Sequence, residues 1–478
     1  MAWTHDVIVI GAGAAGLTAA GGCARLGLRV ALIERDRMGG ECLNSGCVPS
    51  KALLAAARRA QAMRGTRLGI TGSGPAIDFA AVRAHVAAAI AAIAPHDSVE
   101  RFEAWGVEVI RGAAVLTGHT TVQVGTRVFV APRIVLATGS DPAVPAIAGL
   151  RDVPFLTNET LFGLETLPQH LLVLGGGPVG VEMAQAFRRL GSEVTLVEGG
   201  AVLPRSDRDA ATALLAILRT EGISVHEHTA VRAAACEPGG VSLECASGVL
   251  RGSHLLVAAG RRARVDGIGL AHAGVASTDQ GITVDAQRRT SNKAIYAIGD
   301  CRAGPRFTHA AGYEGKRVVT SLGFGVPSPV DYGTLPAVTY TDPELAQLGL
   351  TEAEARVRHR RVDVTVEHWS DNDRAVAEAD TKGFIKLVRA GRRVVGVTIL
   401  GAQAGELLLP WAMVMRGKAS RWALGEVIVP YPTRSELSQA AAFRSYEDRV
   451  FGRAARRWAG TLAWSRRRGG GTSRSDQE

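Results

Sequence analysis

No stretch of the sequence reaches the about 18 unbroken apolar residues of a membrane-spanning helix; even the Ala-rich run from Phe79 to Pro95 is interrupted by Arg83 and His85. The residues from Met1 to Asp6 run directly into the apolar stretch Val7 to Ile10, without the basic and hydrophobic regions of a secretory leader, so a cytoplasmic location is expected. Cysteine is scarce, six in 478 residues, and only Cys42 and Cys47 are spaced for joint chemistry. In a reducing compartment such a pair reads as catalytic rather than structural. Cys23, Cys236, Cys245 and Cys301 read as small packing residues, and with no further Cys or His close to the pair in sequence a metal site is not expected. A basic stripe interleaved with aromatics is also missing. Of the net charge of +10, residues 450–478 supply +5, seven arginines against Asp476 and Glu478, and the mildly basic remainder argues against nucleic acid as a partner.

What is present is the make-up of an ordinary globular protein, 46 % hydrophobic and 21 % charged, in a chain long enough for several domains at roughly 150 residues each. One pattern occurs twice: an apolar strand, a glycine-rich turn, an Ala-rich helix, and a second apolar strand ending in an acid. The copies run from Val7 to Glu34 and from Leu171 to Glu198, and in both the acid lies 23 residues after the first glycine. The spacing predicts two βαβ units. Further strand-like runs, Arg133 to Gly139, His254 to Gly260 and Ala294 to Gly299, each end in glycine. From about Asp331 the pattern changes to alternating runs, Ile385 to Val388 and Val394 to Leu400, and then a helical segment from Glu406 to Met415, as in an α+β domain.

In Gly11-Ala-Gly13-Ala-Ala-Gly16 the glycines can make a tight turn, admit a pyrophosphate and let helix pack on strand, while Glu34 accepts from ribose hydroxyls. The helix N-terminus faces the phosphates with free N–H groups. Gly175-Gly-Gly177-Pro-Val-Gly180 with Glu198 repeats the argument, and two dinucleotide sites in one chain imply a flavin and a nicotinamide that exchange a hydride. A carboxylate at Glu198 disfavours a 2′-phosphate, so NADH is expected, with Arg205 and Arg208 keeping NADPH open. The stretch Gly39-Gly40-Glu-Cys42-Leu-Asn-Ser-Gly-Cys47-Val-Pro49-Ser-Lys51 separates two thiols by four residues and puts Cys47 just before a helical run from Ser50 to Met63, where a thiolate is favoured. One thiol can then attack while the other resolves.

From residue 5 to about residue 449 the chain resembles the flavoprotein disulfide reductases, the class I pyridine nucleotide–disulfide oxidoreductases that include glutathione reductase, dihydrolipoamide dehydrogenase and mercuric reductase. The resemblance implies an α/β fold with two Rossmann-like domains, for FAD at 1–148 and 263–330 and for NAD(P) at 149–262. A C-terminal α+β dimerisation domain follows at 331–449, and then a basic tail at 450–478. It implies that Cys42 is the interchange thiol and Cys47 the charge-transfer thiol against the flavin. Lys51 would lie near flavin N5, paired with Glu182. Gly40, Thr138, Gly139, Asp300 and His309 fall in flavin-binding segments, and Gly260 in the nicotinamide-binding domain. In a homodimer the site would join Cys42 and Cys47 of one subunit to Tyr431 and Glu436 of the other.

Within the class, Leu335 to Glu344 and Asp380 to Val388 are most similar to the mercuric reductase branch. Two features depart. The last cysteine is Cys301, so the C-terminal cysteine pair that passes Hg(II) inward in mercuric reductases is missing. Tyr431, in Tyr431-Pro-Thr-Arg-Ser-Glu436, stands where thiol–disulfide members carry a proton-shuttling histidine and where mercuric reductases also carry tyrosine; a tyrosine with an ordinary pKa of about 10 is a poor base at neutral pH, and simple packing at the dimer interface is the alternative role. Three functions follow for test: passage of electrons from NADH to a small-molecule or metal-ion acceptor, a dihydrolipoamide-dehydrogenase-like activity, and a non-catalytic flavin-bearing interaction or membrane-docking protein. In the tail, Val450, Ala454, Trp458 and Leu462 recur at i+4 spacing beside Arg453, Arg456 and Arg457, the pattern of a basic amphipathic helix. Such a helix can dock on a membrane surface; a frayed helix followed by disorder is the more ordinary outcome.

Overall fold

The computed structural model describes residues 2–469. They form two compact units: one takes most of the chain up to Gly333, the other the residues from Asp342 onward together with Arg205–Leu214 and Thr334–Val338.

In the first unit five strands lie parallel in the order Ile295–Ala297, Arg133–Leu136, Val7–Ile10, Val30–Glu34, Val107–Arg111. Val7–Ile10, at the centre of the sheet, is apolar and buried throughout because both faces there are covered. Alternate side chains feed two cores. Val7, Val9, Val30, Leu32 and Val135 pack on one face against Ala15, Ala19, Ala20 and Cys23 of the helix Ala14–Arg25, whose small residues let it lie close. Ile8, Ile10, Ala31, Ile33, Ile134 and Leu136 fill the other face. A second parallel sheet, in the order Ser224–His226, Glu193–Val197, His170–Leu174, His254–Val257, repeats the plan. In each sheet the strand that enters the glycine loop is flanked by the strand that ends at the acid. This is the α/β pattern with two Rossmann-like units.

In the second unit Glu344–Gly349, Arg393–Gly401, Phe384–Ala390 and Asp363–His368 lie antiparallel in that order. Trp369 and Trp411 are fully buried beneath them, and each indole N–H is satisfied, Trp369 Nε1 by the Leu400 carbonyl at 2.7 Å and Trp411 Nε1 by Ser438 Oγ at 3.2 Å. Lys386 projects from this sheet with its side chain 4 % exposed, and its ammonium donates to both oxygens of Asp207, at 2.9 and 3.1 Å, and to Glu352 at 3.3 Å. That ion cluster explains why Arg205–Leu214 joins the second unit.

Four sequence expectations need revision. Cys236 is exposed in the strand Val231–Glu237, whereas Cys23, Cys245 and Cys301 are buried. The helical stretch Phe79–Ala104 is, by length and composition alone, apolar enough to cross a membrane, because its alanines and isoleucines keep the mean hydropathy of an 18-residue window at 1.3 despite Arg83 and His85; only 6 % of that window is buried. The segment expected as one helix from Glu406 is a 3₁₀ turn, Glu406–Leu408, followed by the helix Leu409–Met415. In the tail a helix does form, Arg453–Gly469, but Val450 ends a separate short helix, with Gly452 at the break. Residues 470–478, expected to be disordered, lie outside the described residues.

Lys386→Met should lower stability by about 3–5 kcal/mol, because Asp207 is left buried without its cation. Adding Asp207→Asn should restore most of the loss in a thermal denaturation series. If the double variant melts no higher than the single one, the cluster is not what holds Arg205–Leu214 in place.

Candidate active site

Both glycine loops divide their labour among three positions. Gly11 has φ +104° and a Cβ there would lie 2.3 Å from the Ala137 carbonyl oxygen; at Gly16 it would lie 1.8 Å from the Gly11 oxygen. Gly175, with φ +116°, and Gly180 repeat these contacts at 2.4 Å from the Ala258 oxygen and 2.0 Å from the Gly175 oxygen. The middle glycines differ. A Cβ at Gly13 would meet only Gly40 Cα at 4.0 Å, and one at Gly177 would meet nothing within 4 Å. The fold therefore needs the outer glycines for its own packing, while the middle ones leave a bare backbone at a helix N-terminus, as a pyrophosphate requires. Gly40 packs against Gly13, where a Cβ would come within 2.7 Å of its Cα. Each acid braces its loop: Glu34 Oε2 accepts from Ala12 N at 2.6 Å, and Glu198 Oε2 from Gly176 N at 2.7 Å. The residues fit two dinucleotides.

The thiols sit on two helices, Gly40–Asn44 with Cys42 and Cys47–Ala62 with Cys47 as its first residue. The second helix starts three residues earlier than its sequence suggests, so the Cys47 sulfur lies at the helix N-terminus itself, where the local dipole favours a thiolate. Thr308, first residue of the helix Thr308–Phe324, places its hydroxyl 3.2 Å from Cys47 Sγ. The Cys42 thiol donates to Cys47 and lowers its pKa to about 6, against the desolvation of the surrounding walls and with further help from the Thr308 hydroxyl and the Lys51 ammonium. The same bond pushes the Cys42 thiol well above its ordinary range, reinforced by burial. At neutral pH the reduced pair therefore carries one proton, on Cys42, and one negative charge, on Cys47.

Lys51 and Glu182, 131 residues apart, meet at 2.8 Å, with the carboxylate side chain only 6 % exposed. The other Glu182 oxygen accepts from Tyr340 N at 2.9 Å, and the Lys51 ammonium lies 4.2 Å above the Tyr340 ring. A second network was not legible beforehand. Arg261, next to Gly260, grips both oxygens of Glu41, one of them at 2.6 Å, and donates through Nε to Ser140 Oγ at 2.8 Å. Ser140 Oγ in turn donates to Asp300 at 2.8 Å, and Asn158 joins Glu41 at 2.9 Å. Burial pushes the Glu41 carboxyl up to about 7 although Arg261 opposes it; the bidentate grip argues that the anion persists. Arg261 thus ties the Cys42 helix to the Asp300 turn.

Around that turn, Gly299 N donates at 2.6 Å to Glu314, which is fully buried and paired with Arg302 Nε at 2.6 Å. Thr138 Oγ1 donates to the Arg264 carbonyl at 2.6 Å, and Gly139 and Gly260 take positive φ at the strand ends. His309 is exposed and stacked on Phe307, with ring centroids 5.2 Å apart.

Tyr431 and Glu436 belong to the second unit. Tyr431 is 72 % exposed and its hydroxyl donates to Asp373 at 2.8 Å, not to Glu436. Glu436 Oε2 accepts from Thr433 N at 2.8 Å, so one oxygen of the carboxylate expected to orient residue 431 is engaged by the backbone of its own helix start. The hydrogen bond to Asp373 and that carboxylate's charge raise the Tyr431 pKa above its ordinary value.

Among the described residues no group of three or more His, Cys, Asp or Glu is arranged to hold a metal ion. A family model for pyridine nucleotide-disulphide oxidoreductases matches residues 5–315, and one for the dimerisation domain of the same family matches residues 335–442, the part through which members pair as homodimers. A mercuric reductase from Streptomyces lividans is 35 % identical over 456 residues, covering 92 % of this chain and 95 % of that protein. A dihydrolipoyl dehydrogenase from Bacillus subtilis is 31 % identical over 452 residues, 91 % of this chain and 95 % of its own length. Among solved structures, the HOCl-induced flavoprotein disulfide reductase RclA from Escherichia coli superposes with a TM-score of 0.83 at 28 % identity, covering 91 % of this chain and 99 % of that one. With its two dinucleotide loops and its paired thiols, the chain belongs to the pyridine nucleotide-disulphide oxidoreductase family, flavoenzymes that use FAD and NAD(P)H.

Proposed function

We propose that this enzyme moves electrons from NADH to the Cys42/Cys47 pair and from the pair to a thiophilic metal ion, which is its substrate and not a resident cofactor. FAD, when bound, supplies the two-electron exchange between nicotinamide and dithiol. The carrying observation is the commitment of Tyr431 to Asp373 at 2.8 Å. Reduction of a disulfide substrate needs a proton delivered to each departing thiolate, and the residue at the shuttle position holds its proton more tightly than an ordinary tyrosine. A metal ion needs no such delivery. Two Cu(II) ions take one electron each as the two thiolates close to a disulfide, and the Cys42 proton leaves to solvent. RclA has been solved as a Cu(II) complex, which supports a soft or copper-like acceptor for a chain of this architecture. In the homodimer, Tyr431 and Glu436 of one subunit would face the thiols of its partner.

In this reading Lys51 and Glu182 fix a positive charge beside the flavin edge, and Arg261 and Glu41 hold the Cys42 helix in register. Glu198, braced on the second glycine loop through Gly176 N, would meet the adenosine ribose of NADH and would disfavour the phosphate of NADPH.

Steady-state NADH oxidation by the holoenzyme should be faster with Cu(II) or Hg(II) than with lipoamide or glutathione disulfide by roughly 10²-fold or more, the usual weight of a missing general acid. Tyr431→His should raise disulfide turnover. Lipoamide turnover as fast as hydride uptake from NADH would instead establish the dihydrolipoyl-dehydrogenase-like activity and remove the metal-ion proposal.

Specificity for NADH over NADPH should reach about tenfold in kcat/KM, from roughly 1.4 kcal/mol of repulsion at Glu198. Glu198→Arg should narrow or reverse the ratio, and an NADPH preference in the unaltered enzyme would refute the assignment.

The long-wavelength absorbance that a thiolate gives against bound flavin should titrate in the reduced enzyme with a midpoint near the Cys47 value of about 6, present above it and lost below. Cys47→Ser should abolish it. Thr308→Val should move the midpoint up by roughly one pH unit, one neutral hydrogen bond's worth, and Thr308→Ser should leave it in place. An unmoved midpoint in Thr308→Val would show that the hydroxyl does not stabilise the thiolate.

A further inference from the structure

The second unit carries arginines that nothing in it neutralises. Arg389 lies near the end of the strand Phe384–Ala390, and Arg392 follows in the turn that leads into Arg393–Gly401. Arg421 opens the helix Arg421–Glu426, and Arg449 belongs to the short helix Glu447–Val450. Burial, together with repulsion from Arg389, Arg449 and Arg392, holds the Arg421 guanidinium below its ordinary pKa. Arg421 Nη1 and Arg389 Nε are buried without a hydrogen-bond partner. Among the described residues none of the four takes part in an ion pair. A guanidinium is all donor and always charged, so such a cluster is complete only with an anion against it.

Four residues beyond Arg449 the helix Arg453–Gly469 begins, with six arginines and no acid in its 17 residues. At 100° per residue Ala454, Ala455, Trp458 and Leu462 share one side, while Arg453, Arg456, Arg457 and Arg467 lie opposite. Trp458 is 66 % and Leu462 39 % exposed, so the apolar stripe is uncovered. Trp464 falls on the arginine side with the Arg468 guanidinium 4.0 Å above its ring.

We infer that this enzyme docks on an anionic lipid bilayer, with the Trp458–Leu462 stripe in the boundary between headgroups and acyl chains and the helix arginines and the Arg389/Arg392/Arg421/Arg449 cluster on lipid phosphates. The occupant follows from charge and shape together. A second copy of the same surface would repel the first, and a nucleic acid would satisfy the guanidinium groups but leave an Ala/Leu stripe facing water. Lipid satisfies both halves, because arginine stems lie along the apolar boundary while their heads reach phosphate.

The test is co-sedimentation of the full-length, flavin-loaded enzyme with vesicles of phosphatidylglycerol and phosphatidylcholine, compared with phosphatidylcholine alone. Binding should require the anionic lipid and should weaken steeply between 0.1 M and about 0.5 M salt as the charges are screened. Arg389→Gln with Arg421→Gln should weaken it by about 25-fold, at roughly fivefold per arginine near the surface. Trp458→Ser with Leu462→Ser should abolish it while NADH-driven turnover stays unchanged. Because both latter residues are exposed, far-UV circular dichroism of this variant should match the parent. Equal binding to neutral vesicles, no binding at low salt, or tighter binding to single-stranded RNA than to anionic vesicles at the same salt would each overturn the proposal.

Discussion

The first unit depends on how closely a helix can approach the loop that feeds it. At Gly16 and Gly180 the backbone lies where a methyl group would fall within about 2 Å of a carbonyl oxygen, 1.8 Å in one case and 2.0 Å in the other. That approach aims the free N–H groups of a helix N-terminus at the end of the sheet, and the acid closing the next strand reaches back to the same loop. The Cys42 thiol is hung on the first of these loops: Gly40 packs on Gly13, and the Cys42 helix starts at Gly40. That thiol is therefore positioned by the dinucleotide loop itself, and a displacement of the loop would move one member of the redox pair with it.

Local chemistry in the sequence disclosed much of this. Glycine spacing, continuous apolar runs and a terminal acid are short-range signals, and they fix the two parallel sheets because a buried parallel strand leaves no polar alternation. Lys51 and Glu182 were accessible only through resemblance, since no pattern links residues 131 positions apart. Thr308 and the Arg261–Glu41 grip were hidden for the same reason: a Thr–Cys contact across 261 positions leaves no periodicity behind it, and an arginine following a strand-end glycine looks like a solvated surface charge. The alanine-rich stretch Phe79–Ala104 misled in a different way. Arg83 and His85 break the run without bringing the mean hydropathy of its 18-residue window below 1.3.

In the proposed metal-ion reading, proton inventory is what separates this site from a general thiol–disulfide exchanger. The hydrogen bond from Cys42 to Cys47 and the converging starts of two helices, Cys47–Ala62 and Thr308–Phe324, allow a thiolate at neutral pH without any external base. The fold thus provides for one negative charge at the redox pair, whereas at the position proposed to meet it across the homodimer Tyr431 is bonded to Asp373 and Glu436 Oε2 to its own backbone, with no imidazole for a substrate's protons. An imidazole at 431 would restore a titrating group there, and Glu436 could orient it through its second oxygen while Oε2 keeps Thr433 N. An acceptor that binds sulfur and takes electrons without protons, as we propose, avoids that demand, and on that proposal specificity would rest on the pairing of residues 431 and 373 rather than on the thiols themselves.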